Sequence, residues 1–157
     1  MGTNSYSKQA VKPDIKDQVQ HLLEELKIIM PGSQILLSFQ LTSVFATGFE
    51  KLSSSLKYTH LVSILFTILA IAFVMFNTSF HRIVNAGKDS TQFHAYGSYM
   101  LIASLVTMTI ALVLDLYVVS FVITKISFIS LLLSACMLVF IYFLWFILPF
   151  YIKKVRQ

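Results

Sequence analysis

The sequence predicts an all-α membrane protein, in which a four-transmembrane-helix bundle is preceded by an amphipathic surface helix. Of the 157 residues, 57% are hydrophobic and 12% are charged, whereas ordinary soluble domains carry about 25% charged residues. The apolar residues are gathered into long segments, and a helix needs about 20 of them to cross a bilayer core. Together these observations exclude an ordinary soluble domain.

The first predicted element is an amphipathic helix over residues 13–31, which follows a stretch, 1–12, that we expect to be disordered. Apolar residues recur in the helix at steps of three and four, and charged residues take the other face. Pro31 and Gly32 predict a break or a kink at its end. We expect the helix to lie on the inner membrane surface or to pack on the bundle.

Four apolar segments follow, and these are the predicted spans. The first is the shortest and is interrupted by hydroxyl and amide side chains, and a short connection that suits a helical hairpin leads to the second. The four spans cover about residues 34–49, 58–76, 96–123 and 126–152. A basic tail, 153–157, closes the chain.

The distribution of lysine and arginine predicts the topology. With both termini in the cytoplasm, three basic residues, Lys51, Lys57 and Lys125, lie outside, and the excess of basic residues lies inside, as the positive-inside rule requires. We therefore expect a multi-pass protein of the cell inner (plasma) membrane. Its basic residues would meet anionic lipid, which argues against nucleic acid as a partner. The inner set comprises Lys8, Lys12, Lys16, Lys27, Arg82, Lys88, Lys153, Lys154 and Arg156.

Asp115 is the residue that bears most directly on function. No other charged side chain occurs from Tyr99 to Ile123, and a carboxylate near the bilayer centre costs from roughly 2.5 to well over 10 kcal/mol, depending on the method. Ala103, Thr107, Ala111 and Asp115 follow one another at i, i+4 spacing and form a stripe of small and polar residues. Such stripes let membrane helices approach closely.

Two interpretations of Asp115 remain open. In the first, it is a structural acid that is hydrogen-bonded within a packing seam. In the second, it binds a proton or a cation, since burial disfavours the charged form of an acid. Gln40 and Thr107 complete the hypothetical ion-binding site. Because His60 is placed near the outer boundary of the membrane, we expect no deep basic partner for the carboxylate.

The motifs of enzymes and of cofactor sites are absent from the sequence. It contains no glycine-rich phosphate loop and no G-x-S-x-G motif. Its single cysteine, Cys136, excludes an intrachain disulfide, and no histidine pair has the spacing of a zinc site on one helix. We therefore expect no enzymatic activity, no cofactor and no metal.

Several short segments, taken in their order and spacing over about residues 14–150, carry a family resemblance. They are Glu25-Leu26-Lys27 before Gly32, Gln34 through Phe39 and Leu41, the Phe49 and Leu52 region, His81-Arg82, Gly87-Lys88 and Leu114-Asp115. In these segments the chain resembles a family of small uncharacterised bacterial four-span membrane proteins, a domain of unknown function that is sometimes labelled sodium:proton antiporter. The resemblance implies a cation-binding acid, and Asp115 is the residue that matches it.

The sequence therefore favours an integral membrane protein that takes part in cation or proton transport, with H⁺ or Na⁺ as the candidate ion. The alternative is a non-catalytic membrane scaffold or a subunit of a larger membrane complex. Four unbroken helices are few for a self-contained carrier, because known carriers combine repeats with interrupted helices. Besides the lipid bilayer, we expect a second copy of the chain or another membrane protein as a partner.

Overall fold

The computed structural model describes residues 15–84 and 91–155, and every regular element in these two ranges is a helix. The all-helical prediction is confirmed. The main helices are α1, Ile15–Ser43; α2, Ser54–Ile83; α3, Thr91–Thr124; and α4, Ser127–Tyr142. A π-helix, Phe143–Ile147, leads directly into α5, Leu148–Val155.

Some of the sequence predictions lie outside the described residues. These are the disorder of residues 1–12, the start of the amphipathic helix at residue 13, the middle of the α2–α3 connection and the last two residues of the basic tail.

Among the described residues, three helices are long and apolar enough to span a membrane, and the prediction of four spans is wrong. By length and composition these three helices are Ser54–Ile83, Thr91–Thr124 and Ser127–Val155. The first predicted span, 34–49, is the final part of α1, whose helix ends at Ser43. That part is short, and its amide and hydroxyl side chains make it less apolar than the other three helices.

Helix α1 passes through Pro31 without a break, so the surface helix and the first predicted span form one element. Its first half packs on the bundle, which is the second of the two placements expected from its amphipathic pattern. Val19, Leu22 and Leu26 are buried there, in one cluster with Val74 of α2 and Phe93 of α3. The apolar face of α1 is therefore removed from lipid and water by the α2–α3 hairpin.

Helices α2 and α3 form an antiparallel hairpin whose register can be followed along its whole length. Two residues lie opposite each other in the hairpin when one precedes residue 87 and the other follows it by about the same number of residues. The Ser63 hydroxyl donates to the Ala111 carbonyl at 3.2 Å, and a Cβ on Gly97 would lie 2.6 Å from Asn77 Oδ1. Small residues thus allow the two helices to approach closely.

A two-residue turn reverses the chain between α3 and α4. Lys125 adopts a left-handed backbone with φ of 58°, and the Thr124 hydroxyl accepts a hydrogen bond from the Ile126 N–H at 3.3 Å. Because the turn is so short, α4 returns antiparallel to α3. The chain therefore alternates in direction through α1 to α4, and Ile15 and Val155 lie at the end of the bundle where α2 connects to α3.

The last helix contains a π-helical turn directly before Pro149. A proline ring clashes with the carbonyl four residues earlier and offers no N–H to it. In the wider turn, the Leu148 N–H bonds to the Phe143 carbonyl, five residues earlier. The π-turn thus lets the helix continue past Pro149 to Val155, as one element long enough to cross a membrane.

Candidate functional site

Both oxygens of the Asp115 carboxylate are bonded by side chains from other helices. His60 Nδ1, on α2, lies 3.1 Å from Oδ1, and Gln40 Nε2, on α1, donates to Oδ2 at 2.6 Å. The side chain of His60 is 8% exposed and that of Asp115 is 18% exposed. Three helices therefore converge on this acid, inside the part of the bundle formed by apolar helices.

The other ring nitrogen of His60 contacts a backbone carbonyl and a hydroxyl. Its Nε2 lies 3.0 Å from the Gln40 backbone oxygen and 2.9 Å from Ser43 Oγ. The Ser43 hydroxyl also lies 2.7 Å from the same Gln40 oxygen, and its one hydrogen can be donated to that oxygen or to Nε2. Nε2 therefore carries a hydrogen when it donates to the Gln40 carbonyl, and it is unprotonated when it accepts from Ser43.

The contact between His60 and Asp115 is favourable when one hydrogen lies between Nδ1 and Oδ1, which are 3.1 Å apart. A neutral ring supplies that hydrogen from Nδ1 if Nε2 accepts from Ser43, and the pair then has a net negative charge. If Nε2 donates to Gln40, the hydrogen belongs to an imidazolium or to the carboxylic acid, and the pair has no net charge. The geometry therefore accommodates the pair with or without one additional proton, which belongs to the pair rather than to either residue.

Gln40 and Ser63 extend the network into the hairpin. Besides the Asp115 carboxylate, Gln40 Nε2 donates to Ser63 Oγ at 2.7 Å, and Ser63 in turn donates to the Ala111 carbonyl. Gln40 is 3% exposed, yet its Oε1 is buried and has no hydrogen-bond partner in the described structure. One strong acceptor thus remains unsatisfied beside the carboxylate, which is a costly arrangement.

A cavity of about 590 Å³ opens beside the pair. Gln40, Ser43, His60 and Asp115 line its polar part, and aliphatic and aromatic side chains line the remainder. This volume lies within the range of small-molecule binding sites, which are concave and mostly apolar with a few polar groups. The apolar walls include Leu36, Phe39, Phe49, Leu52, Val118 and Val122.

The structure brings together two of the three residues of the predicted ion-binding site. Gln40 contacts Asp115 as expected, but Thr107 does not. The Thr107 hydroxyl donates within its own helix, to the carbonyls of Ala103 and Ser104 at 3.0 Å, because hydroxyls on a membrane helix readily bond back to the preceding turn.

The expectation that Asp115 has no basic partner is wrong, because His60 fills that role. From the sequence alone, the position of His60 near the start of the second span predicts a place at the membrane boundary. The signal that could have identified it is the antiparallel register. A hairpin centred near residue 87 places the beginning of α2 opposite the end of α3, and therefore His60 opposite Asp115.

The family of unknown function DUF6328 has a model that matches residues 13–149. The chain belongs to this family. Its membership confirms the expected relationship to a family of unknown function, but supports neither the antiporter label nor a four-span description. No curated protein and no solved structure matches the chain.

Proposed function

We propose that this protein moves protons across a membrane and that the His60–Asp115 pair is the proton-binding site. The observation that carries the proposal is the geometry of the pair, in which a buried imidazole lies 3.1 Å from a carboxylate oxygen and contacts a carbonyl and a hydroxyl through its other nitrogen. An ionisable residue within apolar helices is a functional candidate because burying its charge is costly. Here the carboxylate and its basic partner form a neutral unit once the proton is bound.

Loss of that additional proton would leave a net negative charge on the pair. The remaining ring hydrogen would lie on Nδ1, and Nε2 would then accept from the Ser43 hydroxyl in place of donating to the Gln40 carbonyl. Proton binding would in this way be coupled to the packing of α1 against α2, as an ion carrier requires, because a ligand shifts a conformational equilibrium only through differential affinity.

A proton suits this site better than Na⁺, the other ion considered from the sequence. One Asp115 oxygen already accepts a hydrogen bond from Gln40, and the other contacts His60. A sodium ion would have to displace the imidazole, which is the nearest basic group, in order to reach the carboxylate. The shared proton needs no such displacement.

We further propose a bacterial inner-membrane location, with both termini in the cytoplasm. Residues 28–49 contain no charged side chain, and Gln40 of α1 reaches the same level as His60. The second half of α1 would then lie at the depth of the bilayer, packed on α2, without being one of the three helices that are apolar enough to span it. A green fluorescent protein fused after Gln157 should be fluorescent in bacterial cells, since it would fold in the cytoplasm, whereas an exported and dark fusion would contradict this topology.

The proposed function is tested by proton flux into liposomes. Purified protein is reconstituted with a pH-sensitive dye inside, and a potassium diffusion potential is imposed with valinomycin. We expect the native protein to acidify or alkalinise the lumen faster than protein-free liposomes. Asp115→Asn removes the proton-binding carboxylate but keeps its shape, and should reduce the flux to the protein-free rate.

A matched control is Asp17→Asn, which makes the same chemical change in the exposed first turn of α1. This variant should retain the native flux. Equal flux from the native protein and Asp115→Asn would remove Asp115 from the mechanism. Equal amounts of each variant should be reconstituted, with folding checked by circular dichroism.

The second candidate function is a non-catalytic scaffold or subunit, and the packing of α4 favours it. Among the described helices that precede it, α4 contacts only α3, and large apolar side chains such as Phe128 and Phe140 remain exposed along it. A partner membrane helix, or a second copy of the chain, could cover this face. Under this alternative, liposomes show no flux, and mild detergent extraction recovers a stoichiometric partner.

A further inference from the structure

We infer that the cavity beside Asp115 binds a lipophilic cation, which takes the place of the proton on the His60–Asp115 pair. The inference rests on the proposed proton site and names a second ligand for it. Three features of the cavity carry the argument: its apolar walls, its single carboxylate and its unsatisfied acceptor.

The walls select an apolar molecule of moderate size. The volume of about 590 Å³ is suited to a drug-sized ligand. Phe39 and Phe49 are among the lining residues, and aromatic faces attract cations through their ring electrons. A hydrated inorganic ion would gain little from such walls, whereas an organic cation would bury its hydrocarbon surface there.

The charges of the lining select a cation rather than an anion. Asp115 is the acidic residue among the described lining residues, and no lysine or arginine is among them. Its side chain keeps 18% of its surface accessible and borders the cavity. Gln40 also lines the cavity, and its buried Oε1, which has no hydrogen-bond partner in the described structure, adds negative potential near the site.

Exchange with the proton follows from charge balance. The pair is neutral when it holds the additional proton, so a cation then gains no net attraction from it. When the proton leaves to the solvent, His60 is neutral and Asp115 is an anion, and the bound cation restores neutrality. One cation therefore enters for each proton released, and the two ligands compete for one carboxylate.

The experiment measures binding of tetraphenylphosphonium to the full-length protein in mild detergent by isothermal titration calorimetry. Tetraphenylborate has the same shape and the opposite charge, so it controls for hydrophobic partitioning without any variant. We expect saturable binding of one phosphonium ion per chain and no saturable binding of the borate. The titration is repeated in two buffers that differ in ionisation enthalpy. The difference between the two binding enthalpies should correspond to the release of one proton to the buffer for each phosphonium ion bound.

Asp115→Asn should weaken phosphonium binding by at least about tenfold, since it removes the opposite charge from a site of low dielectric. Asp17→Asn should leave the affinity unchanged. Equal affinity for the two tetraphenyl ions, or binding without proton release, would overturn the inference. Proton flux without phosphonium binding would overturn this inference and leave the proposed transport intact. Phosphonium binding without proton flux would overturn the proposed transport and leave this inference intact.

Discussion

Asp115→Leu is expected to destabilise the protein by about 3 kcal/mol, because removing one member of a buried ion pair leaves the other without its partner. His60 would then have no acceptor at Nδ1, and Gln40 Nε2 would lose its shorter hydrogen bond. His60→Leu is expected to cost a similar amount, since it leaves the carboxylate among apolar helices. The free energy of unfolding is measured in detergent by denaturant titration with circular dichroism.

The double variant His60→Leu with Asp115→Leu is the decisive control for this prediction. Replacing both members of a buried pair by apolar side chains is often neutral or stabilising, so we expect the double variant to lie within about 1 kcal/mol of the native protein. The cycle then shows strong coupling between the two sites. Additive losses, or single variants as stable as the native protein, would contradict the paired geometry.

Gly97→Ala is expected to destabilise the protein by about 1 to 3 kcal/mol, through overpacking. A Cβ at this position would lie 2.5 Å from Leu22 Cδ2 and 2.6 Å from Asn77 Oδ1. Asn77 is fully buried and has little room to move. The added methyl group would therefore push α1 and α2 away from α3, and the loss should appear in the same unfolding measurement.

Gly32→Ala is a matched control that we expect to stabilise the protein, whereas Gly97→Ala destabilises it. Gly32 lies inside α1, and a Cβ there would meet nothing within 4 Å. Alanine in a helix interior is favoured over glycine by about 1 kcal/mol, so this variant should be more stable than the native protein. If Gly97→Ala were stabilising as well, the close approach of α1, α2 and α3 at Gly97 would be wrong.

Much of the fold and part of the site could be predicted because they depend on local sequence. Long apolar segments set the extents of α2, α3 and the last helix, and the three-and-four periodicity of α1 predicted the face that Val19, Leu22 and Leu26 bury. Asp115 was evident because an uncharged segment surrounds it. Gln40 was expected as its partner, since it is an amide in an apolar segment.

The continuity of α1 through Pro31 was less accessible, because proline signals a break in most local contexts. Whether a helix continues past a proline depends on what the following residues pack against. With Gln40 bonded to Asp115 and Ser63, and Leu26 buried in the core cluster, contacts on both sides of Pro31 hold α1 in one helix.

By itself, the sequence determined that the chain is helical, where its apolar helices run, and which acid lies among them. These properties follow from side-chain hydrophobicity and helical periodicity, which are local. Only the tertiary structure decided that His60 contacts Asp115, that Thr107 turns back to its own helix, and that a cavity opens beside the pair. Residues distant in sequence meet through the register of α2 against α3, and that register is set by small residues packing across the hairpin.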